Sequence, residues 1–585
     1  MYLKHGTLNG KKFLSIAHNY RDPKTKKVRA KIVKTLGYFD ELEKQYLDPV
    51  AHFKQVIAEM NAKVEGEKAS LRITISPSVH LEGATRKNLG YAALSKVYHE
   101  LGLDVFFANN SRKWGVEYNV NSIMKTEIFS RILFPGSKKK TYENREVFFE
   151  NTDYELIDVY RCLGHINPLS NAIQQHLHLK VKKNYGRKTD LVYYDVTNYY
   201  FEIDEQRPED TGGDSRFRGA KIMKDDLRRK GVSKEHRPDP IVQMGLFMDT
   251  EGVPISYRLF PGNTNDCETM FPYLTQIKRD FADIGRIIVV ADKGLNTSPN
   301  LVGNTLNGDG YVFSQKVRGS NAELQKYVLD ENGYVWISED YKIKSRLHPR
   351  IVYVKDIHGK EKQVRLDEKQ VIFYSKAYDK KAKADREAAI VKARDLVANP
   401  SKYKKATSYG AAKYVKNIEY DPKTGEILTS KSTPVFDEKK LKEEEKWDGY
   451  YAIVTSELKK TDNEIIEIYR GLWKIEESFK VTKSDFETRP VYLSRKDHIE
   501  AHFLICFIAL VIIRILEKLL EYKFSASRLA ESLSRASCCP LEENWFIFDY
   551  ADEVTAEIKN TLGIDLTHKY LRLGEIKNIL AHTKK

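Results

Sequence analysis

The sequence predicts an α/β core built on a mixed sheet and interrupted by a strand-rich stretch. An α-rich module precedes the core and a helical segment closes the chain. Three observations carry this. Residues 88–180 have helical spacing with breaks at Gly102, Pro135-Gly136 and Pro168. A different texture begins near residue 190, where strand-like runs follow in the order β-β-β-α-β up to Ala291. Residues 310–456 then supply further Tyr/Val/Ile-rich runs, and 497–585 return to helical spacing.

In chain order, residues 1–40 alternate short strand-like pieces, such as Lys12–His18, with turns, among them Arg21-Asp-Pro-Lys24; residues 42–65 read as a helix. Leu191–Phe201 is a strand rich in Tyr and Val. Residues 207–240, with Gly212-Gly213, Pro238 and Pro240, read as a long polar loop. Ile241–Met248 and Ile255–Phe260 are strands around Asp249-Thr-Glu-Gly252. Residues 267–283 read as a helix and Arg286–Ala291 as a buried strand. Residues 380–416 look helical and strongly basic, Trp447–Ser456 is a strand, and 461–482 is one helix. The domain boundaries expected are a basic N-terminal segment 1–70, an α-helical module 71–185, a first core part 186–309, a β-rich insertion 310–456, and core completion with C-terminal helices over 457–585.

The chain has 585 residues, enough for several domains, and 41% hydrophobic with 31% charged residues suits a globular protein rather than a disordered one. The formal charge of +15 suits a polyanion such as nucleic acid, or reflects a generically basic surface. The charge is clustered: residues 1–40 hold ten Lys/Arg against two Asp/Glu, and 211–240 hold nine against five. Five cysteines without regular spacing (Cys162, Cys267, Cys506, Cys538, Cys539) speak against a disulfide framework and for reduced thiols in a cytoplasmic protein. The apolar run Phe503–Ile513 is too short to span a bilayer and reads as a buried core helix, so no membrane role is expected.

Three acids stand out. Asp195 interrupts a strand, on the same face as Tyr193 and Thr197, where a carboxylate is uncommon. The plain alternative is an aspartate bonding backbone amides. Asp292 follows five apolar residues at a strand's carboxyl end, where α/β proteins place ligands; a turn or helix cap is equally open. Glu476 falls on the apolar stripe of the 461–482 helix, at i+4 from Leu472, whereas Glu477 turns toward Arg470, Lys474 and Lys480. The alternative is an ion pair of Glu476 with Lys480 or Lys483. Burying unpaired carboxylates costs several kcal/mol, and a shared divalent cation would offset that cost. Two magnesium ions roughly 4 Å apart suit oxygen donors and phosphodiester chemistry, with manganese able to substitute.

The segments Tyr193-Tyr-Asp-Val-Thr197, Phe260-Pro-Gly-Asn-Thr264, Val290-Ala-Asp-Lys-Gly294 and Tyr469-Arg-Gly-Leu-Trp-Lys-Ile-Glu476 resemble bacterial insertion-sequence transposases. More narrowly, they resemble the Asp-Asp-Glu type whose third acid sits in a Tyr-x2-Arg-x3-Glu-x6-Lys signature (the insertion-sequence-four-like group). Tyr20-Arg-Asp22, Leu36-Gly37, Arg489-Pro-Val-Tyr492 and His498–His502 extend the resemblance over most of the chain. It implies an RNase H-like core with a β-rich insertion, and 184 residues separate Asp292 from Glu476. It implies Asp195, Asp292 and Glu476 as catalytic, metal-holding acids. Tyr469 and Lys483 match the signature; its Arg falls at Leu472 here, with Arg470 two positions earlier. Arg470, Lys483, Lys480, Tyr469 and Trp473 are the expected DNA contacts, the last two by stacking, though a core or groove role is open for Trp473. The activity implied is metal-dependent cleavage at transposon ends and strand transfer into target DNA (cut-and-paste). The partners expected are terminal inverted repeats and target duplex, bound by a homodimer. A hydrolytic nuclease on the same fold, or an inactive DNA-binding derivative, are the other readings.

Overall fold

The computed structural model describes residues 1–8, 11–21, 28–46, 48–68, 86–202, 227–235, 239–281, 283–355, 359–399, 411–417, 419–420, 427–428 and 434–584. The Asp22–Lys24 turn and most of the 207–240 loop lie outside these residues. The chain divides into two compact units, Met1–Gly83 and Ala84–Lys585.

The first unit is a three-stranded antiparallel sheet, β1 (Tyr2–Leu8), β2 (Lys11–Arg21) and β3 (Val28–Tyr38), in sequence order, followed by a helix over Pro49–Lys68. The β2–β3 register shifts at Leu14/Ser15 and again at Ile16/Ala17. Simple alternation is broken there, and Leu14, Ser15, Ile16 and Ala17 are all buried.

In the second unit, β4 (Lys87–Asn88) precedes six α-helices between Tyr91 and Tyr185, and the sheet strands follow. These are β5 (Leu191–Tyr200), β6 (Ile241–Met248), β7 (Pro254–Pro261), β8 (Ile288–Ala291) and β9 (Gly310–Gln315), then β10 (Val335–Ser338) and β11 (Tyr341–Leu347). β12 (Arg350–Lys355) and β13 (Glu361–Leu366) form a separate hairpin, and β14 (Lys369–Ser375) returns to the sheet. A long helix, Lys376–Ala398, and four two-residue strands follow: β15 (Val415–Lys416), β16 (Glu419–Tyr420), β17 (Ile427–Leu428) and β18 (Val435–Phe436). β19 (Tyr450–Thr455) completes a nine-stranded sheet in the order β10-β11-β14-β19-β9-β8-β5-β6-β7. Five strands of 310–456, namely β9, β10, β11, β14 and β19, thus extend the same sheet that β5–β8 begin, while β12 with β13, β15 with β18 and β16 with β17 pair separately.

Only β5–β8 and β8–β9 pair in parallel. The central strands are covered on both faces, and every residue of β6 is buried. One face carries Val192, Tyr194, Val196, Val289, Ala291 and Phe313, and packs against the Met270–Asp280 helix through Met270, Tyr273, Leu274 and Ile277. The other carries Tyr193, Tyr199, Val290, Val312 and Ile453, and lies under the helices Asp462–Arg470, Trp473–Lys480 and Lys496–Leu519.

The Lys496–Leu519 helix is long and apolar enough to cross a membrane, but 94% of its apolar window is buried inside the chain. Its Ile, Leu, Phe and Val side chains each contribute roughly 1.5–3 kcal/mol by leaving water, which makes it the spine of the second unit. The expected core helix is therefore found, longer than its apolar run.

One expectation changes. Residues 461–482 are not one helix: Asp462–Arg470 ends, Gly471-Leu472 form a turn, Trp473–Lys480 starts afresh, and Val481–Asp485 is a π-helical turn. A Cβ on Gly471 would stand 1.8 Å from the Tyr193 hydroxyl, so the chain crosses β5 where only glycine fits. The C-terminal segment is mostly helical, as expected, and adds a small sheet. β20 (Ser537–Pro540), β21 (Trp545–Phe548) and β22 (Tyr570–Arg572) pair with β4 in the order β22-β21-β20-β4, which ties the start of the second unit to its end.

Candidate active site

The parallel register pairs Leu191 with Ile288, Val192 with Val289 and Tyr193 with Val290. Continued by two residues along each strand, it sets Asp195 beside Asp292. β9 pairs Ala291 with Phe313, and one step further brings Ser314 to Asp292. Strand alternation places Asp195, Asp292 and Ser314 on one face, the face that the Trp473–Lys480 helix covers.

Asp195 is partly buried. Burial pushes its carboxyl up to about 6; Lys234 and a backbone hydrogen bond at Val196 oppose this, and the charges of Asp292 and Asp266 add to it. Asp292 starts a single 3-10 turn over Lys293–Leu295, but its side chain makes no capping bond. Its Oδ1 instead accepts hydrogen bonds from Ser314 Oγ at 2.8 Å and from Tyr469 Oη at 3.4 Å. The side chain of Asp292 thus does not serve as a helix cap.

Lys234 donates to the carbonyl of Val196 and lies 3.8 Å from Asp266 Oδ2. Burial also raises the Asp266 carboxyl, against the pull of Lys234. Lys483 is pulled down to about 8, by burial first and then by Lys234, with Asp195 working the other way. Its ammonium is 3.4 Å from Glu235, which also pairs with Arg489. Two carboxylates on neighbouring strands, a third beside them, and two lysines within electrostatic reach make a compact charged site over the sheet.

Glu476 stands apart. In the Trp473–Lys480 helix Ile475, Ser478 and Phe479 are buried and Glu476 is exposed, with no ion pair to Lys480 or Lys483. The expected position of Glu476 is therefore corrected: Ile465, Leu472, Ile475 and Phe479 form the buried stripe, and Glu476 falls outside it. Glu477 is the half-buried member of the pair, with Arg514 Nη1 3.7 Å away. Arg514 also donates to the buried Ser478 Oγ at 2.9 and 3.2 Å, which anchors this helix to Lys496–Leu519.

Among the described residues, no three His, Cys, Asp or Glu side chains are close enough to hold a metal ion together. The donor chemistry of Asp195 and Asp292 does fit a divalent cation, since both are hard oxygen donors in register on one face. Of the expected DNA contacts, Trp473 and Lys480 are exposed, and Arg470 pairs with Glu467 at 2.6 Å and lies over the Tyr341 ring. Tyr469 is turned into the site rather than out toward a base. Sequence reasoning missed Asp266, Lys234, Ser314 and Glu235. Only Asp266 left a signal, two residues past the Phe260–Thr264 motif.

Residues 228–512 match a family model described as the transposase DDE domain, and residues 5–71 match the N-terminal domain of the IS1634 family transposases. The chain belongs to the insertion-sequence DDE transposases, in the IS1634 group. It is a DNA transposase, and its DDE domain implies dependence on a divalent metal. No curated protein matches it. Among solved structures, a piggyBac transposase in a synaptic complex with hairpin DNA, determined by cryo-EM, is similar at 7% identity. The likeness covers 86% of this chain and 88% of that one, with a TM-score of 0.35.

Proposed function

We propose that the enzyme moves its element by cut-and-paste, with Asp195, Asp292 and Glu476 as the catalytic acids and the β5–β9 part of the sheet as an RNase H-like core. The single observation that carries this is the register that sets Asp195 beside Asp292 on adjacent parallel strands. The strand order β7-β6-β5-β8-β9, with three antiparallel strands followed by two parallel ones, supports the core. In this layout β9 is the last core strand, and β10–β19 are the insertion within 310–456.

Asp195 and Asp292 would hold the metal, with Glu476 joining when DNA draws its helix toward the pair. Magnesium, or manganese in its place, would polarise the attacking and leaving oxygens of a phosphodiester, and two ions are expected. The chain's own groups orient the reacting ends. Asp292 is fixed through one oxygen, and Lys483 and Lys234 place positive charge beside the phosphate path. In the first step a water oxygen attacks phosphorus and the 3′ oxygen leaves as a free hydroxyl. In the second, that hydroxyl attacks a target phosphodiester and the target's own 3′ oxygen leaves.

Exposed Trp473 and Lys480 face outward from the same helix and would meet DNA, with Arg470 at the end of the preceding helix. Exposed Lys380, Lys381 and Lys392 on the Lys376–Ala398 helix, and Lys11, Lys12, Lys31 and Lys34 of the first unit, would contact phosphates of the terminal repeats and target. The 86–185 helices are the proposed duplex-binding module, and two ends imply a homodimer on DNA in the cytoplasm.

The test is incubation of the protein with labelled DNA carrying the element's terminal repeats, in magnesium or manganese. Cutting at the repeat boundary followed by joining to a target supports the reading. Cutting without joining would make this a hydrolytic nuclease, and binding without cutting an inactive derivative.

A further inference from the structure

Ser314 sits on β9 with Val312 two residues before it and Ile453 as its partner on β19. Both neighbours are fully buried and apolar, and Ser314 itself is 5% exposed. A hydroxyl in such a place costs stability unless it is bonded, and its bond goes to Asp292 Oδ1 at 2.8 Å. Tyr469, from the Asp462–Arg470 helix, brings its hydroxyl to the same oxygen at 3.4 Å. Asn296 Nδ2 holds the Ser314 carbonyl at 2.9 Å, which fixes the end of β9 against the loop after Asp292.

We propose that Ser314 and Tyr469 are positioning residues for Asp292: they occupy Oδ1 and present Oδ2 to the metal. The inference rests on the reading of Asp292 as a metal-holding acid. Groups that orient a ligating carboxylate typically change metal affinity 10–100-fold when removed. Ser314 gives the shorter bond and carries the larger share. Tyr469 then acts from inside the site, through Asp292, instead of stacking on a base.

The experiment is manganese binding to the full-length protein, followed by electron paramagnetic resonance of the free ion, with unfolding temperature measured without metal. Ser314→Ala is expected to weaken binding about tenfold and Tyr469→Phe by a smaller factor. Ser314→Thr, which keeps the hydroxyl, is expected to bind as wild type, and metal-free unfolding temperatures should shift little. Asp292→Ala should lose the site. If Ser314→Ala and Tyr469→Phe bind as wild type while Asp292→Ala does not, the positioning role is overturned and the metal reading stands. Ser314→Thr binding as poorly as Ser314→Ala would also overturn it. If Asp292→Ala binds as wild type, the metal reading falls and takes this inference with it.

Discussion

Asp195 on β5 and Asp292 just past the end of β8 each lie two residues beyond the last parallel pair, Tyr193 with Val290, and the charge of Asp292 acts on the Asp195 carboxyl. Burial pushes the Asp195 carboxyl up to about 6, above the usual carboxylate range, and the like charge of Asp292 adds to this. A bound cation needs the deprotonated form. Manganese affinity is therefore expected to rise as pH climbs through about 6 and to level off above it. Asp292→Asn removes one of the raising charges, so any residual binding should show its midpoint at lower pH. Affinity that is flat or falling between pH 5 and 7 would contradict the assignment.

Gly471 lets the chain cross over Tyr193. A methyl group there meets the phenol oxygen at 1.8 Å and the ring behind it, and Tyr193 is buried. Gly471→Ala is expected to destabilise the protein by about 1–3 kcal/mol, as overpacking does. Calorimetry would read this as a lower unfolding temperature, partly restored by Tyr193→Leu. An unchanged temperature would show that the helix break is not pinned by this contact.

His178 is fully buried, 3.2 Å from Asp283, with Arg187 on its other nitrogen. Burial, then Arg187, lowers its pKa to about 4, with Asp283 opposing. The unfolded chain takes up this proton near 6.5 and the folded chain only near 4. Stability from the neutral ring is thus complete above pH 6.5 and is lost as pH falls toward 4, up to roughly 3 kcal/mol. His178→Asn should flatten the unfolding temperature over that window; an unchanged slope would assign the acid sensitivity to other groups.

Lys138 and Glu127 form an ion pair at 2.5 Å with both side chains almost wholly buried. Lys138→Met leaves Glu127 charged and unpaired, and is expected to cost about 3–5 kcal/mol. Adding Glu127→Leu should recover most of that. A double variant no better than the single one would mean that the pair serves more than its own charges.

Much of the core was legible because it is local. The strands β5–β8 follow from their apolar runs, and Asp195 and Asp292 are conspicuous because each breaks or ends such a run. The long core helix was visible in Phe503–Ile513. The exposure of Glu476 is not legible locally: the stripe Ile465, Leu472, Ile475 and Phe479 is buried, but which neighbour of Ile475 faces the sheet is settled by tertiary packing. Ser314 and Lys234 carry no local signal, since their roles come from strand pairing and a tertiary contact. The sheet that joins β4 to β20–β22 was missed for the same reason: its strands are two to four residues long and pair across the whole second unit.

The central claim is that Asp195, Asp292 and Glu476 act as one catalytic set. Its most direct test is single-turnover cleavage of terminal-repeat DNA in magnesium by Asp195→Asn, Asp292→Asn and Glu476→Gln, beside Glu477→Gln. The first three are each expected to lose at least about 100-fold in rate while still binding DNA, and Glu477→Gln to stay within a few fold of wild type. Cleavage at the wild-type rate by Asp195→Asn, or loss at Glu477 with Glu476→Gln active, would contradict the account.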